Sequence, residues 1–117
     1  MTEKFEVWNP RDDLAAFDDQ RRKALASDDH LTVARIIYQP GDSNEFHHHA
    51  GTSQALYVVK GQLTVRTRHE DGSITEKTMH EGEAALVGDR EVEQFENTGD
   101  EPALIFQVLR PGVPVIR

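Results

Sequence analysis

A chain of 117 residues is long enough for one domain built around one apolar core. Its 21 acidic side chains outnumber its 13 basic ones, giving a formal net charge of −8 with no basic stripe, so nucleic acid is excluded as an expected partner. Cysteine is absent, which excludes disulfides and thiolate chemistry and leaves His, Asp, Glu, Gln or water to hold any metal.

The opening residues, MTEKFEVWNP, contain no apolar run of signal-peptide length, and no later stretch approaches a membrane span. A soluble, cytoplasmic protein is therefore expected. Asn9-Pro10 reads as a helix start, because Asn caps and Pro suits the first helical position. Leu14, Phe17 and Leu25 fall near one face of an amphipathic helix running to about Ser27, with Asp12, Asp18, Arg21 and Arg22 on its charged side. Residues 1–30 thus read as an N-terminal extension carrying that helix.

After His30 the texture changes. Short β-rich runs follow at 31–38, 55–59, 62–69, 73–79, 83–87, 93–97 and 103–109, separated by Pro40-Gly41, Gly61, Asp71-Gly72, Gly82, Gly88 and Gly99-Asp100. Seven or eight short strands at regular spacing argue for an all-β sandwich or barrel over 31–117. Glu70-Asp71-Gly72 is a hairpin signal.

The run FHHHAGTSQ holds three of the six histidines side by side. Successive side chains on a strand point to opposite faces, so His47 and His49 share a face and His48 takes the other. Two imidazoles two residues apart suit one metal ion. If the chain continues as a strand with Leu56 and Val58 inward, Gln54 offers a carbonyl oxygen nearby. Glu93 and Phe95 share one face of a later strand, which lets Glu93 point into the same cavity.

This layout resembles the cupin superfamily, specifically its small single-domain members. The family's first signature is Gly, five residues, His-x-His, three or four residues, Glu, six residues, Gly. Here Gly41, His47, His49, Gln54 and Gly61 keep every spacing, with Gln in place of Glu. The second signature is Gly, five residues, Pro-x-Gly, two residues, His, three residues, Asn. Gly82 and Asn97 match it, while Gly88, Arg90 and Glu93 stand where Pro, Gly and His are usual. The resemblance covers roughly Leu31 to Leu109 and implies a double-stranded β-helix, or jelly-roll, barrel. It also implies one divalent metal ion (Fe, Mn, Ni, Co or Zn) held by His47, His49, Gln54 and Glu93, a set in which amide and carboxylate have traded places.

Strand alternation predicts an apolar lining of Leu56, Val58, Leu63, Val65 and Phe95, with Ala55, Tyr57 and Val59 packed between the sheets. Arg35, Tyr38 and Gln107 are the polar groups expected in or near the pocket, because a polar residue in a buried series must find a partner. Three functions stay open. Two His and one carboxylate with open positions form the ligand set of non-haem iron oxygenases, which implies dioxygenation. Gln at position 54 is similar to the uronate ring-opening and polyketide-cyclising members, which implies Lewis-acid isomerisation, cyclisation or elimination on a carbonyl or enol substrate. The third is a non-catalytic module that binds a metal or small molecule. No side chain is marked as catalytic, the expected partner is a small molecule rather than a membrane, and a homodimer is expected because sheet edges need covering.

Overall fold

The computed structural model describes residues 9, 22–48, 51–88 and 91–111. Among them, eight strands run in the order β1 (Arg22–Ser27), β2 (Thr32–Tyr38), β3 (Ser53–Lys60), β4 (Gln62–Arg68), β5 (Ile74–His80), β6 (Ala84–Val87), β7 (Val92–Glu96) and β8 (Ala103–Arg110). They build two antiparallel sheets, one ordered β1-β2-β8-β3-β6 and the other β5-β4-β7. The all-β architecture expected from the spacing of the strands is the one observed.

Alternation sorts the side chains. On β3, Gln54, Leu56 and Val58 are buried and point inward, while Ser53, Ala55 and Tyr57 are exposed. Ala55 and Tyr57 therefore do not pack between the sheets, since a period of two sends them to the outer face. On β4, Leu63 and Val65 face the inner side of the three-stranded sheet. Ile36, Leu56, Val58, Leu63, Phe95 and Ile105 form the centre of the core. Each such side chain contributes about 1.5–3 kcal/mol on burial.

The segment 22–27 corrects the expected helix. Instead of a final helical turn it is a strand along the edge of β2, from Arg22 opposite Ile36 to Ser27 opposite Thr32. Leu25, which suggested a helical face, is the extra residue where the register slips between Ala24 and Ala26. The open edge of β2 offers the backbone a complete ladder, and that outweighs a weak local helix preference. The rest of the expected helix, with Leu14 and Phe17, lies outside the described residues.

The β4–β5 hairpin forms at the predicted turn. Asp71 Oδ1 accepts from the Ser73 amide and hydroxyl at 2.9 and 2.6 Å, and His69 N donates to Ser73 O. On the outer face of this sheet, Arg66 spans three strands, reaching Glu76 on β5 at 3.0 Å and Glu96 on β7 at 2.7 Å. Beyond β7, the segment Ser43–His48 runs antiparallel to it through isolated pairings of Ser43 with Glu96 and His47 with Glu93. Asn44 pins that segment, its Oδ1 accepting from Phe95 N at 2.8 Å. Asn97, fully buried, joins the two sheets: its Nδ2 donates to Tyr38 O and Glu101 O, and its Oδ1 accepts from Gly99 N.

Candidate functional site

Residues from three neighbouring segments stand in one row on the inner face. His47 and Glu93 exchange both backbone hydrogen bonds, at 3.0 and 2.9 Å. Directly opposed residues of an antiparallel pair present their side chains to the same side. Thr67 is the partner of Glu93 on β4, so His47, Glu93 and Thr67 form one cross-strand row. Phe95, two residues along from Glu93, lies edge-on to the His47 ring with centroids 6.1 Å apart.

Glu93 is buried, only 3% exposed, and its Oε2 accepts from the Thr67 hydroxyl at 2.9 Å. Burial pushes its carboxyl up to about 7; the Thr67 hydrogen bond pulls the other way and the neighbouring Glu91 pushes further up. A buried acid in that state has a place for an added positive charge. The His47 ring is oriented by its own segment. Nδ1 lies 2.8 Å from Glu45 O, and because a carbonyl only accepts, Nδ1 carries a proton, which in the neutral ring puts the lone pair on Nε2. Metal-bound imidazoles have this arrangement, one nitrogen on a backbone carbonyl and the other on the ion.

An imidazole and a carboxyl are donor types that a divalent ion accepts. Among the described residues, no group of three or more His, Asp or Glu gathers closely enough to hold one. His49, the other imidazole of the expected set, lies outside the described residues.

His47 also faces a cavity of about 170 Å³ whose wall includes Tyr38, Gln54, Leu56, Phe95, Gln107 and Arg22. Glu93 and Val65 line a wider cleft of about 630 Å³ between the inner faces of β4 and β5 and the short strand β6, with Thr67, Lys77 and Glu91 around it. Of the expected pocket residues, Tyr38, Leu56, Phe95 and Gln107 are thus on the small cavity and Val65 on the larger cleft. Arg35 is on neither. It is fully buried, but alternation along β2 sets it on the face opposite Ile36 and Tyr38.

A polar relay crosses the wall of the small cavity. Arg22 Nε donates to Gln107 Oε1 at 3.0 Å, and Gln107 Nε2 donates to Gln54 Oε1 at 2.7 Å. Arg22 starts from β1 opposite Ile36 and reaches over β2 to β8. Ala34, which pairs with Gln107 on β2, presents only a methyl group to obstruct that crossing. Three site residues escaped sequence reasoning. Arg22 reads as part of a helix face; Asn44 sits in a loop with no periodicity; Thr67 continues the inward series Leu63–Val65, which alternation alone reaches.

The cupin domain family matches residues 34–109 of this sequence. The chain belongs to the cupin family. Over 84 residues, 72% of the chain, this cupin is 30% identical to the Rhicadhesin receptor of Pisum sativum, of which the match covers 39%. The chain spans about two fifths of the length of the curated relatives it matches. Among solved structures it is similar to a protein from Bacillus halodurans, with a TM-score of 0.78 and 23% identity, covering 94% of this cupin and 87% of that chain. It is also similar to oxalate decarboxylase from Bacillus subtilis, a protein with Mn(II) centres, with a TM-score of 0.68 and 22% identity, covering 75% of this chain and 23% of the other. Identities this low speak for the fold alone. Among the described residues of this cupin, no helix is long and apolar enough to cross a membrane.

Proposed function

We propose that this cupin is a metal-dependent enzyme acting on a small oxygenated molecule, with a divalent ion held by His47, His49 and Glu93. The observation that carries the reading is the paired row of His47 and Glu93, an imidazole oriented by Glu45 O beside a buried carboxyl with no ion pair among the described residues. When bound, a divalent ion there supplies Lewis acidity toward a carbonyl or enol oxygen, or, as iron, activation of O₂. The chain's own residues do the rest. His47 and Glu93 would fix the position of the positive charge, Thr67 holds the carboxyl by a hydrogen bond, and Leu56, Phe95 and Ile105 give the small cavity an apolar wall. Manganese is the first ion to test, given the Mn(II) centres of the similarly folded oxalate decarboxylase.

Metal analysis after native purification tests the reading. The wild-type chain is expected to carry close to one divalent ion, and His47→Ala together with His49→Ala to carry none while keeping its circular dichroism. Glu93→Gln is expected to weaken metal binding more than Gln54→Ala does, because it removes the charged ligand. A folded double-histidine variant with its full metal content sinks the proposal. Iron with O₂ uptake on substrate selects dioxygenation; manganese, nickel or zinc without O₂ uptake selects isomerisation, cyclisation or elimination.

A further inference from the structure

The direction of the Arg22–Gln107–Gln54 relay is decided by chemistry. Arginine has donors and no acceptor, so Gln107 must turn its carbonyl oxygen toward Arg22. Its amide nitrogen then faces Gln54 and can only donate, which makes the facing atom of Gln54 its carbonyl oxygen. The amide nitrogen of Gln54 is left over. Gln54 is 4% exposed, lines the small cavity, and that nitrogen has no partner among the described residues. Arg22 lines the same cavity, and only its Nε is engaged by the relay. A glutamate at position 54 would offer the cavity an acceptor; this glutamine offers it a donor.

We propose that the cavity is a receptor for a small carboxylate, with Gln54 Nε2 donating to the ligand's oxygens and the remaining guanidinium N–H groups of Arg22 holding its charge. Gln54 is on this account a specificity-determining residue toward the ligand and not a metal ligand. The rest of the ligand is short and partly apolar. A cavity of about 170 Å³ is close to the size that takes up benzene, about 150 Å³, and the wall away from the relay is Ile36, Leu56, Leu63, Phe95 and Ile105. His47 also lines this cavity. The inference names the substrate class of the proposed enzyme but stands on the cavity alone. It holds for the protein with or without metal.

The test is calorimetric titration of the full chain with 2-oxobutanoate and with 2-oxobutanamide, its uncharged isostere, first after chelator treatment and then with Mn²⁺ restored. The acid is expected to bind at least tenfold more tightly than the amide in both forms. Arg22→Met and Gln54→Glu are each expected to remove that preference, Gln54→Glu while retaining metal. In wild-type protein, the side-chain amide resonance of Gln54 is expected to shift with the acid and not with the amide, a readout that needs no variant to fold. Equal affinity for acid and amide, no binding of the acid to either form at millimolar concentration, an unmoved Gln54 resonance, or a folded Gln54→Glu variant with undiminished acid binding overturns the proposal. Metal content, measured separately, reports on the metal reading and is unaffected by any of these outcomes.

Discussion

A carboxyl packed between Thr67 and the His47 strand, inside a sheet, is costly to ionise. Unfolded, Glu93 has an ordinary value of 4.5; folded and metal-free, it is pushed up to about 7 by burial. Between those values the folded chain keeps a proton that the unfolded chain has lost. The group's contribution to stability is therefore complete below about pH 4.5 and is lost as pH rises to about 7, the reverse of a salt-bridged acid. The size is on the order of 3 kcal/mol. Urea midpoints of the chelator-treated protein across this window are expected to fall more steeply with pH for wild type than for Glu93→Gln, with the variant the more stable above pH 7. Parallel curves for the two proteins contradict the assignment. The identity of this residue was legible from its register in the second signature. Its proton was not, because that depends on Thr67, Glu91 and the packing around them, which approach only in the fold.

At the scale of single elements, the strands from β2 to β8 were readable because their apolar residues alternate and their turns carry Gly, Pro and Asp. β1 was not, because RKALAS has one apolar branched residue and no alternation, and its partner supplies the order. Turns show a similar division. Gly61, between β3 and β4, has φ +82, and a Cβ there would meet Pro102 O at 2.8 Å and Ala103 Cα at 2.9 Å. Gly72, in the β4–β5 hairpin, has φ +86 with nothing within 4 Å. Gly72→Ala is expected to cost only the left-handed backbone penalty, about 1–2 kcal/mol. Gly61→Ala adds a collision with backbone that must move, and is expected to cost about 3 kcal/mol or more. Thermal melts of the two variants check the order. Similar melting temperatures would show that the β8 entrance yields freely.

The two sheets are tied at one end by Asn97 and by the segment 43–48 leaning on β7, while the β5–β6 side is open as the larger cleft. An ion held by His47 and Glu93 would bind the folded state only, and its stabilisation belongs to the whole molecule. Mn²⁺ added to chelator-treated protein at pH 8 is expected to stabilise by about 2.7 kcal/mol at a hundredfold excess over its Kd. The gain is expected to shrink at pH 6, where a proton competes for Glu93. A thermal shift equal at both pH values would place the ion elsewhere.

The sequence alone determined the β architecture and that His47 and Glu93 face inward, because strand alternation and motif spacing are properties of the chain itself; that the two line different cavities, against the expectation of a shared one, came only from the fold. Only the tertiary structure decided that Arg35 turns away from the cavity, that Arg22 reaches it, and that Gln54 shows it a nitrogen. Those facts follow from which strand lies beside which and from a hydrogen-bond direction set by a residue 32 positions away, and neither can be read along a single strand.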